Sequence, residues 1–132
     1  MKSKEKVLEK DITLLPGKGS KNSVKGPGSF YWHIFHKNQR VGRVYINKAT
    51  KDSEEAYGVI TIEINQKDRS RGIGSIAYKK ACELSEYSEV LAEMRKTNKA
   101  SRIAAERAGF QIKKDQKGGQ LKMIWKKNRN EL

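Results

Sequence analysis

Cysteine occurs once in this sequence, at Cys82, so no disulfide can form within the chain. Residence in the reducing cytoplasm is the default that follows. Long apolar runs are missing too. A membrane-spanning helix needs roughly 20 consecutive apolar residues, and no stretch here approaches that, so no helical crossing of a bilayer is expected. The first six residues carry charge but have no apolar region behind them and do not read as a secretory signal. The chain has 2 histidines, His33 and His36, which fall on opposite faces of one expected strand. No cysteine or carboxylate spacing stands beside them, so no metal site is expected.

Acidic residues are also scarce, 15 Asp and Glu against 29 Lys and Arg, a net charge of +14. Much of that charge sits at the ends. Residues 1–28 hold seven lysines and three acids, a net of +4, and residues 113–132 hold seven basic residues and two acids, a net of +5. Solvated termini account for such runs; so would a nucleic-acid surface or a site for a polyanionic ligand. At 132 residues the chain is long enough for one core and too short for two ordinary domains.

Residues 1–28 read as a short N-terminal segment and a loop. Residues 7–15 can form an edge strand or a helical turn, and residues 16–28 carry Pro16, Pro27 and four glycines. The folded domain is expected over 29–127, with 128–132 a polar tail. Its first element is Phe30-Tyr31-Trp32-His33-Ile34-Phe35, aromatic and β-branched, a strand. A turn at 37–40 and a second arm at 41–46 make a hairpin, and residues 57–64 add a third strand, which predicts an antiparallel meander. From Gly72 the period changes: Ile73, Ile76, Ala77, Ala81 and Leu84 recur at helical spacing. A short strand at 90–94 follows, then a helix opening at Asn98 with Ala100, Ile103, Ala104 and Ala108 inward. Gly109 ends it as a left-handed cap. Strands at 110–112 and 121–125 close the chain around Lys117-Gly118-Gly119. The expected fold class is α/β of the α+β kind: a mixed, mostly antiparallel sheet flanked by helices, in the order β-β-β-α-β-α-β-β.

Between the third strand and the first helix lies a charged loop with a glycine corner, Arg69-Ser70-Arg71-Gly72-Ile73-Gly74-Ser75. Helix starts present unpaired N–H groups and partial positive charge, which suit phosphate, and glycines let the backbone approach an anion closely. The nucleoside-triphosphate loop needs Gly-x-x-x-x-Gly-Lys-[Ser/Thr], which is absent. The dinucleotide fingerprint Gly-x-Gly-x-x-Ala is satisfied from Gly72 to Ala77. It belongs, however, directly after the first strand of an alternating parallel sheet, and here three strands and a charged loop precede it. A helix cap that binds nothing is the remaining plain reading.

The segment from Arg69 to Gly74 also resembles [Gln/Arg]-x-x-Gly-x-[Gly/Ala], the signature of the GNAT superfamily of acyl-CoA N-acyltransferases. Downstream, Asn98-Lys99-Ala100-Ser101 with Glu106-Arg107-Ala108-Gly109-Phe110 resembles the family's second signature, in a form similar to the branch that acetylates ribosomal-protein N-termini. With the order of elements, the resemblance covers about three quarters of the chain. It implies acetyl-CoA as acyl donor, no metal, and an amine-bearing acceptor. It also implies roles. Ile62, Glu63 and Ile64 would run beside the pantetheine arm, the backbone of the two isoleucines pairing with it like an added strand. The amides of Arg69, Ser70, Arg71, Gly72, Ile73, Gly74 and Ser75 would hold the diphosphate, and Asn98 would lie near the thiol end.

Acyl transfer to an amine needs a base, donors for the thioester oxygen and a departing thiolate. Backbone N–H groups at the end of the third strand suit the oxygen. Glu93, five residues before Asn98, resembles the glutamate of the ribosomal-protein acetyltransferases and is the first candidate base; pairing with Arg95 or a lysine is its plain alternative. Glu63, opposite in face to Ile62 and Ile64, is the second. Many relatives carry a tyrosine where Ala105 stands, to protonate the sulfur. Ser101 is the expected substitute, as in the serine-bearing branch, unless it only bonds its own helix turn. Cys82 reads as packing, and Trp32, Tyr45 and Trp125 as core or rim aromatics.

The leading expectation is therefore an N-acetyltransferase, monomeric or homodimeric, acting on a peptide or protein terminus rather than a small polycation. A cofactor-binding module with weak catalysis and a basic nucleic-acid or ribosome-binding protein are the alternatives.

Overall fold

A computed structural model describes residues 5–17, 29–50, 56–113 and 119–127. The apolar alternation of the sequence appears as seven strands in one sheet, ordered β1-β2-β3-β4-β5-β7-β6. The strands are β1 (Ile12–Pro16), β2 (Phe30–His36), β3 (Gln39–Ala49), β4 (Tyr57–Ile64), β5 (Glu89–Arg95), β6 (Gln111–Ile112) and β7 (Gln120–Lys126). Two helices interrupt them, α1 (Ile73–Ser85) and α2 (Lys99–Arg107). The order from β2 onward is the expected one. Within residues 7–15 both readings hold, since a 3₁₀ turn at Glu9–Asp11 leads into edge strand β1. The tail at 128–132, most of the loop at 16–28 and the Lys117-Gly118 half of the last turn lie outside the described residues.

Every strand contact is antiparallel except one. β4 and β5 run parallel, joined through α1, and their register covers only Gly58, Ile60 and the residue between them, opposite Val90, Leu91 and Ala92. β4 continues for four more residues, still paired with β3 from Val44↔Ile62 to Gly42↔Ile64. β5 continues to Arg95 paired with β7. The two strands therefore diverge past Ile60 and Ala92, and the sheet forks.

Registered neighbours share a face, which sorts the sheet. Trp32, Val44, Ile46, Ile60, Val90, Ala92, Met94, Leu121, Met123 and Trp125 lie on one face and are buried. Both helices pack there, α1 against β1, β3 and β4, and α2 against β5 and α1. Each buried aliphatic side chain contributes roughly 1.5–3 kcal/mol. Tyr31, Tyr45, Thr61, Glu63, Leu91, Glu93 and Lys122 lie on the other face, which carries no helix among the described residues.

The helical spacing located α1 and α2 but misjudged their faces in part. Leu84 is half exposed, and Tyr78 and Cys82 take the core positions beside Ala77 and Ala81. On α2, Ala105 and Ala108 are buried, whereas Ile103 is exposed and Ala100 lies in the open. Gly109 closes α2 with φ 103°. Burial pushes the Cys82 thiol far up, so it stays protonated and inert.

Candidate functional site

The fork opens into a cleft of about 1050 Å³. One wall is the free length of β4, with Ile62, Glu63 and Ile64; the floor is the loop after it and the first turn of α1; the far wall is α2 from Asn98 to Arg107. Each wall has a local cause. A β-carbon at Gly42 would collide with the Glu63 carbonyl, so glycine lets β3 and β4 lie close at the fork's edge. The Asn65 side chain donates to the Arg40 carbonyl at 3.2 Å and Arg69 Nε to the Ile64 carbonyl at 3.2 Å, which fixes the strand's exit. A 3₁₀ turn at Gln66–Asp68 then carries the chain to the glycine corner.

Ser70 and Gly72 both adopt left-handed backbone, φ 67° and φ 84°. Such reversals aim successive N–H groups into a common hollow. No side chain caps α1, and no acidic residue sits in its first turn, so the amides of Ile73, Gly74 and Ser75 face the cleft free of internal competitors. The Ser75 hydroxyl donates back to the Gly72 carbonyl at 3.1 Å. Gly74 lies where α1 meets α2, a β-carbon there standing 3.4 Å from the Ala104 methyl.

The cleft brings together Ile62, Glu63, Ile64, Arg69, Ser70, Gly72, Ile73, Gly74, Ser75, Asn98 and Ser101 of the expected residues. Two others lie elsewhere. The Arg71 side chain turns away and bonds Asp68 Oδ1 at 3.2 Å, the Glu5 carbonyl at 3.3 Å and His36 at 3.4 Å, so it braces the loop from behind. Glu93 is exposed on the helix-free face, opposite Lys122 of β7 and one residue past Ala92, where the fork begins. Glu63 is engaged by Arg43 at 2.7 Å. Both are about half exposed, so the pair contributes little to stability.

On α2 the Asn98 side-chain Oδ1 accepts from the Ser101 backbone N–H at 3.1 Å, an N-cap. Ser101 Oγ lies 3.3 Å from Tyr78 Oη, which reaches across from α1. The ring of Tyr78 is packed edge-on against Phe110 at 5.3 Å.

Sequence reasoning missed Tyr78 and Lys6. Tyr78 sits among core positions of α1, where an aromatic reads as packing. Lys6 comes from a segment with no periodic signal. Val7 N–H bonds the Arg71 carbonyl at 3.0 Å, and Lys6 Nζ reaches the Ser70 carbonyl at 3.1 Å, bringing a cation to the glycine corner. Arg40, Arg43, Arg69 and Arg107 add charge around the same cleft, against Glu63 and Asp68. Among the described residues no group of three His, Cys, Asp or Glu side chains could hold a metal ion, and no helix is long and apolar enough to cross a membrane.

A family model described as an acetyltransferase (GNAT) domain matches residues 9–111. No curated protein matches the chain. Among solved structures, it is similar to the GNAT domain of S. lividans PAT, with 11% identity and TM-score 0.66 over 77% of this chain and 64% of that one. It is similar to the Campylobacter jejuni N-acetyltransferase PseH in complex with acetyl coenzyme A, with 17% identity and TM-score 0.62 over 78% and 71%. RimL, a ribosomal L7/L12 alpha-N-protein acetyltransferase in complex with coenzyme A, is similar at 14% identity and TM-score 0.58 over 74% and 62%. At these identities the likeness is one of fold, and the chain spans less than two thirds of the first of these proteins.

Proposed function

The chain belongs to the GNAT acetyltransferase family, and we propose that it moves an acetyl group from acetyl-CoA to a primary amine, a peptide or protein terminus being the favoured acceptor. One observation carries the reading: the fork between β4 and β5 runs into an uncapped helix start with two left-handed residues before it. A pantetheine arm has the hydrogen-bonding character of an extended peptide. The β4 edge at Ile62 and Ile64, beyond the pairing with β5, offers it a strand partner beside the Arg69 side chain that holds the Ile64 carbonyl. A diphosphate suits the amides from Arg69 to Ser75, and Lys6 and Arg69 supply charge beside them. The residues present thus fit the cofactor.

When bound, the thioester supplies an activated acetyl group and a thiolate that leaves readily. The chain's own groups do the rest. Backbone N–H groups of β4 past Ile60 are free on the β5 side to stabilise a developing oxyanion. Glu93 flanks the start of the fork on the helix-free face and is the group we assign to accept the amine proton, since Arg43 occupies Glu63. Ser101 lines the opposite wall beside Asn98, as a donor toward the thiol end.

The acceptor class is supported by what covers the helix-free face. Among the described residues only a 3₁₀ turn and β1 precede β2, so no helix there narrows the approach to Glu93. The family's acceptor-binding helices usually lie in that region, and an approach without one among the described residues suits an extended chain. A surface of net charge +14 disfavours polycations. A cytoplasmic setting belongs to the same proposal and rests on the single, buried, free cysteine.

A binding module with weak turnover is the second reading. Ala105 is fully buried and supplies no acid, which favours it. A thiol-release assay with acetyl-CoA against peptides and small amines separates the two: transfer to some amine supports the enzyme, and binding without release on every amine supports the module. Glu93→Gln is expected to depress transfer mainly at low pH, where the amine needs help losing its proton, by about 100-fold. A full rate across the pH range removes Glu93 from the mechanism.

A further inference from the structure

Ser101 has one proton to give and two lone pairs to accept with. A serine in the first turn of a helix commonly spends that proton on a carbonyl one turn back, which would aim it away from the cleft. Here another group bears on the choice. Tyr78, on α1, is 6% exposed, and its hydroxyl oxygen stands 3.3 Å from Ser101 Oγ. Its ring is held by Phe110 at 5.3 Å, so the hydroxyl has little freedom to look elsewhere.

Either hydroxyl could be the donor by distance alone, and satisfaction favours Tyr78. Were Ser101 the donor, the Tyr78 proton would need another acceptor, and Ser101 is the hydroxyl's one hydrogen-bond partner among the described residues. Leaving a phenol proton unpaired in a largely buried place is unfavourable. Burial also pushes the phenol above its usual range, more than the Ser101 bond lowers it, so Tyr78 stays protonated at working pH.

We propose that Tyr78 is a positioning residue for Ser101: its O–H donates to Ser101 Oγ and so turns the serine's own proton into the cleft, toward the cofactor's sulfur. This rests on the acetyltransferase reading and deepens it. α2 carries alanine at 105, and the phenol comes from the neighbouring helix instead. No proton is transferred along the pair. A thiol is a far stronger acid than a serine hydroxyl, so the departing sulfur would remain an anion, with Ser101 as its hydrogen-bond donor. Tyr78 borders the cleft as well, but the role assigned to it is exerted through Ser101.

The test uses coenzyme A on the full chain, with affinity from calorimetry and the ionisation of the bound thiol from its ultraviolet thiolate absorbance against pH. In the wild type the bound thiol should ionise about one unit below free coenzyme A, a tenfold gain in thiolate. Tyr78→Phe keeps the ring against Phe110 and should return the titration by most of that unit. Ser101→Ala should do the same, and the double variant should go no further than Ser101→Ala alone. With a transferable amine, Tyr78→Phe should lower kcat about 3- to 10-fold with the acetyl-CoA KM within about twofold. Tyr78→Leu serves if the phenylalanine variant does not fold. A Tyr78→Phe titration equal to wild type, or additive shifts in the double variant, overturns the proposal. Absence of coenzyme A binding by the wild type overturns the cofactor reading beneath it, a result distinct from binding with an unmoved titration.

Discussion

Gly72 holds φ 84°, a conformation that costs a residue bearing a β-carbon about 1–2 kcal/mol. Space is not the obstacle, since the nearest atom to a β-carbon there is Lys6 Cδ at 4.0 Å. Gly72→Ala should therefore fold, lose about 1–2 kcal/mol in denaturant unfolding, and bind coenzyme A more weakly as the corner relaxes. Unchanged stability and unchanged affinity together would remove the corner from the cofactor site. His33 offers a second check. Burial and then the charges of Arg40 and Arg43 hold its imidazole below the ordinary 6.5, and Nδ1 accepts from Arg40 Nε at 2.9 Å. The unfolded chain then takes up the proton first, so stability present above 6.5 is lost as pH falls through the folded value. Arg40→Ala should raise the His33 titration measured by nuclear magnetic resonance; an unmoved titration would reject that cause. At this scale glycines were legible because each names a backbone need. Tyr78 and Lys6 were not, because a tyrosine on a core face and a lysine in a charged tail look alike whether or not a cleft lies beside them.

Asn98 ties sequence to element most directly. Its side chain caps α2 through the Ser101 amide, and α2 spans only nine residues, so one cap matters. Asn98→Ala should cost about 1 kcal/mol and lower the melting temperature, while Asn98→Asp should retain most of the stability. Equal loss in both would show that the cap is not what the side chain supplies. The elements themselves could be read from pattern: β2, β3 and β4 by their β-branched and aromatic content, α1 and α2 by period, the end of α2 by Gly109. The faces were harder. Ala100, Ile103 and Ala104 form an apolar stripe, yet Ala100 and Ile103 line the cleft rather than the core, and only Ala104 packs against the core as well. Period finds a buried stripe without saying whether protein or ligand buries it, and this stripe faces the space between α2 and β4.

At the scale of the whole molecule, one apolar sheet face under two helices follows from alternation and connection lengths, which is why the chain order was readable. The excess of basic residues at the termini was readable as well, but not its use. Only the folded chain brings Lys6 from one end to the Ser70 carbonyl, within the cleft's rim. The spread of β4 from β5 left no mark in the sequence, because a strand written for one neighbour looks the same as a strand written for two. Its cost is that the halves β1–β4 and β5–β7 meet along three residues of parallel register, with the helices bridging behind. A molecule joined by so narrow a seam behaves as a zip left partly undone. Those amide hydrogens of residues 61–64 that point toward β5 should exchange with deuterium sooner than those of Gly58 and Ile60. A guest lying in the gap should slow them, closing the zip with rungs the polypeptide itself does not supply.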